Sequence, residues 1–143
     1  MIGAIIIAHG NLAQELLRTA NTIVGTQENI IALSFSTSEG LDDLKGKIEE
    51  AIRKVGSPEG ILILTDMFGG SPTNVSIILA QEYPIEILTG VNLPMVLELA
   101  LYREFGDLKE VAQKVADAGK KSIFNAYEFF LLRWKKNQVE RQK

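Results

Sequence analysis

Residues 65–74 read Thr65-Asp66-Met67-Phe68-Gly69-Gly70-Ser71-Pro72-Thr73-Asn74, and they join an apolar run at 60–64 to a second apolar run at 75–80. The first run is typical of a buried strand, and the second has the character of a helix. Gly69 and Gly70 allow a tight turn between them, because glycine tolerates positive φ. Ser71 is a candidate N-cap, and Pro72 suits the first turn of a helix. The stretch therefore predicts a strand that turns directly into a helix, with the carboxylate of Asp66 at the turn.

A helix that begins in this way attracts anions, because its first N–H groups are free and its dipole is positive at that end. The hydroxyls of Ser71, Thr65 and Thr73 and the main chain at Gly70 are the candidate phosphate-binding groups. One acidic side chain and one anion-binding helix end thus share a single loop.

The only histidine of the chain, His9, ends another strand-like run at 2–8. Further strands are predicted at 29–35 and 85–89, and helices between them begin near Asn11, Ser38 and Ser71, the last running to about residue 82. Alternating strands and helices indicate an α/β fold, an open three-layer α/β/α domain with a mostly parallel sheet. In such sheets ligands bind beyond the carboxyl ends of the strands, where the strand order reverses. If strands 1 and 3 flank that point, His9 and Asp66 meet across one crevice.

In the second half of the chain, a turn at 90–94 opens a predicted helix through 95–101, followed by a helix at 108–119, a short strand at 121–125 and a C-terminal helix from about 126. We expect one domain over residues 1–143, with that last helix as an extension. The apolar stripe of the extension holds Tyr127, Phe130, Leu131 and Trp134. Its last stretch, 133–143, has five Lys/Arg against one Glu. We expect it to pack on its own domain with its charges solvated; docking on a dimer mate, a partner protein or an anionic membrane is the alternative.

Composition excludes several classes of function. The chain has 143 residues, 46% of them apolar and 23% charged, and a net charge of −3, which argues against nucleic-acid binding. It has no cysteine and one histidine, so we expect no disulfide, no metal site and no cofactor. No segment has the length of a membrane span, and the N-terminus lacks the features of a signal peptide. We expect a cytoplasmic protein.

His9 and Asp66 can act together if the carboxylate accepts a hydrogen bond from Nδ1–H and so fixes the tautomer of the ring. Nε2 is then a nucleophile, a base or a metal ligand, and the anion-binding helix end favours phosphoryl transfer to it. Each feature alone is common in structural roles: a lone histidine often caps or packs, and an aspartate often forms a turn. Their joint occurrence favours function.

The stretches 8–10, 66–74 and 90–95 resemble, in order and spacing, the three marker stretches of mannose-family IIA proteins of the bacterial phosphoenolpyruvate-dependent sugar phosphotransferase system. The resemblance covers roughly residues 1–120. It implies that His9 accepts a phosphoryl group from phospho-HPr on Nε2 and passes it to a histidine of a IIB protein. Asp66 would then orient His9, and Ser71 would contact the phosphate.

The resemblance also implies partners and an assembly. The IIB protein is expected on a separate chain, because no linker rich in Ala and Pro follows the domain, and the IIC and IID membrane subunits take part indirectly, which places the protein near the inner face of the membrane. The family fold adds an antiparallel fifth strand, exchanged between the subunits of a homodimer. An apolar docking surface around His9 would include Phe68, Phe35, Val24 and Leu93, each of which is equally explained as core.

Other functions fit the residues less well. A receiver domain needs an acidic pair after strand 1, a serine hydrolase needs a glycine two residues after Ser71, and neither nucleotide-binding glycine motif occurs. Two alternatives stay open. One is the phosphotransferase subunit of a dihydroxyacetone kinase system, and the other is a regulatory module that signals through phosphohistidine.

Overall fold

The computed structural model describes residues 1–142, in which strands and helices alternate along the first two thirds of the chain. The strands are β1 (Gly3–His9), β2 (Ile30–Phe35), β3 (Ile61–Thr65) and β4 (Ile85–Leu88). The helices are α1 (Leu12–Val24), α2 (Leu41–Val55), α3 (Ser71–Leu79), α4 (Leu93–Tyr102), α5 (Leu108–Lys121) and α6 (Ala126–Arg141). The α/β class and the four parallel strands expected from the sequence are confirmed.

The sheet has the order β2-β1-β3-β4, and all three pairings are parallel. β1 and β3 lie at the centre, and every residue of both is buried except His9. This burial explains their uninterrupted apolar sequences, since a parallel strand is covered on both faces. The chain passes from β1 outward to β2 and then returns to the other side of β1 as β3. The strand order therefore reverses between β1 and β3, which is the arrangement under which His9 and Asp66 were expected to meet.

Alternate residues of the central strands enter two separate cores. Ala4, Ile6 and Ala8 pack with residues of α1, α4 and α5 on one face of the sheet. Ile5 and Ile7 pack with residues of α2 and α3 on the other face. Burial of each such isoleucine contributes roughly 1.5–3 kcal/mol to stability. The three-layer arrangement therefore fixes the carboxyl edge of the sheet, where His9 and residues 65–70 lie.

The expected fifth strand is absent from the part of the chain that the structure describes. Residues 123–125 have no regular secondary structure, and Ile123 and Phe124 are exposed. A strand forms only where it pairs with an edge. In this single chain Asn125 instead caps α6 by accepting a hydrogen bond from the N–H of Glu128. The helix therefore begins directly after these three residues.

The expectation that the C-terminal helix packs on its own domain is also wrong. None of the described residues of α6 is buried, and its aromatic side chains Tyr127, Phe129, Phe130 and Trp134 are all exposed. Within residues 1–142, no helix combines the length and the apolar character that crossing a bilayer requires.

Two helix boundaries differ by three residues from those expected. α2 begins at Leu41 rather than Ser38, because the hydroxyls of Ser36 and Ser38 bond to each other and Glu39 N–H donates to the Ser36 carbonyl. These bonds form a turn that precedes the helix. α3 ends at Leu79 rather than near 82, since residues 80–83 form turns that end before Pro84.

Candidate functional site

His9 and Asp66 meet at the switch point of the sheet. His9 is the last residue of β1, and Asp66 directly follows β3, its neighbour. One carboxylate oxygen, Oδ2, accepts the main-chain N–H of His9 at 2.9 Å and lies 2.8 Å from Nδ1 of the ring. The prediction that the two residues share one crevice is therefore confirmed.

The ionised carboxylate determines which ring nitrogen carries the proton. Burial opposes ionisation of Asp66, but the hydrogen bonds from the main chain and ring of His9 outweigh it and hold the pKa of Asp66 below its ordinary value. An ionised Oδ2 can only accept, so Nδ1–H of His9 is the donor. Nε2 makes no hydrogen bond to any residue in the range 1–142, and the His9 side chain is 38% exposed. The free lone pair of Nε2 is thus available to a reactant.

Phe35 holds the imidazole ring from one side. The two rings meet edge to face, with centroids 5.0 Å apart and planes at 82°. Phe35 ends β2, pairs with His9 in the sheet and is buried. Its predicted place on a docking surface is therefore wrong, because the side chain points into the core. Phe35 restricts the His9 ring instead.

The start of α3 lies beside the same ring. A methyl group placed on Gly70 would stand 3.9 Å from Cε1 of His9, the carbon between the two ring nitrogens. Gly70, not Ser71, is the N-cap, and its carbonyl accepts the N–H of Asn74 at 3.0 Å. Ser71 is the first residue of the helix, because Gly70 adopts the extended conformation of a cap. Within residues 1–142 no side chain caps α3, so the N–H groups of its first turn stay available to an anion.

Thr65 and Thr73 do not have the place expected of phosphate ligands. Both are buried, and their hydroxyls lie 2.7 Å apart. The hydroxyl of Thr73 also donates to the Met67 carbonyl at 2.9 Å. Because these hydroxyls are already engaged within the loop, the candidate anion-binding groups reduce to Ser71 and the main chain at the start of α3.

Of the remaining docking candidates, only Phe68 is exposed, to 80%; it lies two residues after Asp66 and borders a groove beside β4. Leu93 packs against the core cluster of α1, α4 and α5. Val24 is at the far end of α1, a helix that begins three residues after His9 and runs about 20 Å back along the sheet. Its placement near the site was therefore wrong.

Two exposed apolar residues next to the site were missed by the sequence interpretation. Met67 is 55% exposed and Leu12 is 45% exposed. Met67 adjoins Phe68 in the loop after β3, and Leu12 begins α1 close behind His9. The available signal was that Met67 lies in a short loop at a strand end and Leu12 directly follows one, since such loops lie on the surface and carry function.

A metal centre finds no support in the described part of the chain. Within residues 1–142 there is no group of three or more His, Asp or Glu side chains close enough to bind an ion. The site therefore consists of one directed imidazole, one carboxylate and one helix start.

Comparison with known proteins assigns the family. The profile of EIIA-man, described as the PTS system fructose IIA component, matches residues 3–116. The chain belongs to this family. It is 32% identical over 124 residues to the PTS system fructose-specific EIIA component of Bacillus subtilis, covering 86% of this chain and 85% of that protein. IIA components of the mannose family are phosphoryl carriers in sugar uptake, and this chain is one of them.

A further relative and a crystal structure agree with this family assignment. The chain is 33% identical over 127 residues to the mannose-specific EIIAB component of Escherichia coli K12, covering 85% of this chain but 39% of that protein. The crystal structure of phosphotransferase system component EIIA from Streptococcus agalactiae superposes with a TM-score of 0.81 at 32% identity, covering 90% of this chain and 99% of that one. The family match ends at residue 116, so α6 lies outside it.

Proposed function

We propose that Nε2 of His9 accepts a phosphoryl group from phospho-HPr and passes it to a histidine of a IIB protein. The observation that carries the proposal is the hydrogen bond of 2.8 Å between Nδ1 of His9 and Oδ2 of Asp66. It holds the proton on Nδ1 and leaves Nε2 with a free lone pair beside the start of α3.

The transfer needs no proton acceptor at the reacting atom. The bond between phosphorus and the donor's ring nitrogen breaks as the bond from Nε2 of His9 to phosphorus forms. The His9 ring then carries its proton on Nδ1 and positive charge, which the carboxylate of Asp66 stabilises. Ser71 and the first N–H groups of α3 would hold the phosphate oxygens. Transfer to IIB reverses these steps at His9.

The proposed partners are HPr on the donor side and a IIB protein on the acceptor side, with IIC and IID membrane subunits acting downstream. The proposed sugar is one of those in the names of the relatives, which are fructose for the Bacillus subtilis component and mannose for the Escherichia coli component. Both partners would dock on the exposed apolar side chains of Leu12, Met67 and Phe68, each of which lies within three residues of His9 or Asp66 in the sequence. We expect the protein to act in the cytoplasm, close to the permease.

The test is phosphorylation by phosphoenolpyruvate with purified enzyme I and HPr, followed by intact mass and by stability in acid and base. We expect one phosphate, labile in acid and stable in base, and none on His9→Ala. A folded protein that takes up no phosphate while HPr is phosphorylated would overturn the proposal.

We further propose that the functional unit is a homodimer in which a second copy covers α6 and the outer edge of β4. Within residues 1–142 that edge is unpaired, and an unpaired edge strand readily pairs with another chain. A groove of about 540 Å³ runs beside it, bordered by Ile77, Ile87 and Ile123. Ile123 also begins the segment that leads into α6, so the groove and the helix form one surface.

The two sides of α6 favour a protein partner over a membrane. One exposed stripe holds Tyr127, Phe130 and Trp134, and a second holds Phe129, Leu132 and Val139. A helix on a flat bilayer needs its apolar residues on one side only, whereas a helix with apolar residues on two sides needs two protein surfaces. The basic end of α6 is also complementary to residues 1–132, which carry 10 Lys/Arg against 17 Asp/Glu.

Molar mass by light scattering tests the dimer. Wild type should have twice the mass of the chain, and Phe130→Glu with Trp134→Glu should have the mass of one chain while still accepting phosphate. Lys109→Glu, an exposed change on α5, is the control and should leave the dimer intact. A monomeric wild type that binds vesicles of anionic lipid would instead assign α6 to the membrane.

A further inference from the structure

Two buried threonines form a chain of hydrogen bonds around the residue that orients His9. Thr73 donates its only hydroxyl proton to the Met67 carbonyl at 2.9 Å. The contact of 2.7 Å between the hydroxyls of Thr65 and Thr73 must therefore have Thr65 as its donor. This chain of hydrogen bonds runs from Thr65 through Thr73 to Met67. Its two ends, Thr65 and Met67, immediately precede and follow Asp66 in the sequence.

The three residues of this chain of hydrogen bonds, Thr65, Thr73 and Met67, differ in their contacts with the rest of the fold. Thr65 is the last residue of β3, and its carbonyl accepts the N–H of Val91 at 3.0 Å. Thr73 lies in the first turn of α3. Met67 is in the loop, and its side chain is 55% exposed. The hydroxyl of Thr73 thus connects Met67, on the exposed side of Asp66, to a strand and a helix that pack in the core.

Asp66 depends on such a fixed main chain. Its Oδ2 takes both hydrogen bonds from His9, whereas Oδ1 is buried and has no hydrogen-bond partner among residues 1–142. No second side chain therefore aims the carboxylate. The direction in which the Asp66 carboxylate points therefore follows from the main chain at 65–67. The hydrogen bonds of Thr65 and Thr73 connect that main chain to the start of α3, beside the His9 ring.

We propose that Thr73 is a positioning residue of the phosphoryl transfer: its hydroxyl fixes the main chain on both sides of Asp66 and so sets both the aim of the carboxylate and the distance between His9 and α3. The effect on transfer rests on the function proposed above, but the effect on the His9–Asp66 pair does not. A small displacement of a group that orients a nucleophile lowers the rate by about 10- to 100-fold.

The rate test compares variants that differ in the hydroxyl. Thr73→Val removes the hydroxyl and keeps the shape, and it should lower the single-turnover rate of transfer from phospho-HPr by about 10- to 100-fold. Thr73→Ser keeps the hydroxyl and should stay within about threefold of wild type. Ser76→Ala is the matched control, since it removes another buried hydroxyl of α3, one that bonds to the Pro72 carbonyl rather than to the loop. Its rate should equal that of wild type.

The ¹⁵N chemical shifts of the His9 ring provide a second readout that requires no phosphate. We expect Nδ1–H as the dominant tautomer in wild type, Thr73→Ser and Ser76→Ala, and a mixture of tautomers in Thr73→Val. A loss of stability alone would lower the melting temperature without changing the tautomer. Should Thr73→Val not fold, Thr73→Cys replaces it, because the thiol is a weak donor of similar size and the chain has no other cysteine.

Two outcomes would overturn the inference: a wild-type rate and tautomer in folded Thr73→Val, or a Thr73→Ser variant as impaired as Thr73→Val. If wild-type protein accepts no phosphate, the proposed function fails while the tautomer measurement still decides the role of Thr73.

Discussion

One oxygen of Asp66 accepts hydrogen bonds from both the main chain and the ring of His9, the proposed nucleophile. Oδ2 accepts both the N–H and the ring Nδ1–H of His9, so the position of the residue and the orientation of its ring depend on the same acceptor. Phe35 confines the ring on another side. Removing the negative charge of Asp66 should therefore affect chemistry more than folding.

Asp66→Asn should slow phosphoryl transfer to His9 by at least about tenfold, because an amide can donate as well as accept and no longer fixes the proton on Nδ1. The measurement is the single-turnover rate from phospho-HPr in rapid-quench experiments. Asp42→Asn, the same chemical change at an exposed position of α2, serves as the control. An unchanged rate in Asp66→Asn would remove Asp66 from the mechanism.

The lowered pKa of Asp66 also predicts how stability depends on pH. Because the folded-state pKa lies below the unfolded value of about 3.9, the carboxylate stabilises the fold above that pH, and the contribution is lost as the pH falls through the folded-state pKa. Between pH 5 and pH 2 the free energy of unfolding should therefore fall more steeply for wild type than for Asp66→Asn. Urea unfolding across this range is the measurement, and parallel curves would contradict the prediction.

At the scale of elements, the start of α3 and the end of β1 form the site together. Gly70 faces the His9 ring with ordinary backbone angles, whereas Gly69 has φ of 82° and open space around its Cα. The two neighbouring glycines thus have different roles: Gly69 permits the turn, and Gly70 keeps the space beside His9 free.

Gly70→Ala should fold normally but slow phosphoryl transfer, because the added methyl group would stand 3.9 Å from Cε1 of His9 and crowd the arriving phosphate. Gly69→Ala should do the reverse, losing about 1 kcal/mol of stability to backbone strain with a smaller effect on the rate. Melting temperature and transfer rate, measured on both variants, test the pair. Equal losses of rate in the two would contradict the assignment.

In the molecule as a whole, the functional site lies at the carboxyl ends of the strands, and a buried arginine that stabilises the fold lies at their amino ends. Arg103, at the end of α4, is buried and donates to the carbonyls of Ile2 and Glu28 and to the Gln27 side chain. Burial lowers the pKa of its guanidinium, although Glu104 and Glu28 partly offset this. Arg103 thereby joins α4 to the amino ends of β1 and β2, at the opposite edge of the sheet from His9.

Arg103→Met should destabilise the fold by about 2–4 kcal/mol, since it removes a buried donor from the carbonyls of Ile2 and Glu28. Transfer to His9 should proceed at the wild-type rate in the folded protein. Arg18→Met, on the exposed face of α1, should change stability by less than about 0.5 kcal/mol. Urea unfolding measures both, and a loss of transfer activity in folded Arg103→Met would show that the two edges are coupled.

The sequence by itself determined the alternation of strands and helices, the burial of β1 and β3 up to His9, and the placement of His9 and Asp66 at the carboxyl ends of their strands. These follow from local pattern, because apolar runs specify covered strands and parallel strands bring their carboxyl ends to one edge. Only the tertiary structure decided the directions of individual side chains. It placed β3 beside β1, so that His9 meets Asp66, turned Phe35 and the hydroxyls of Thr65 and Thr73 inward, and left α6 uncovered. Each of these depends on packing between residues distant in sequence, which residue spacing along one element does not encode.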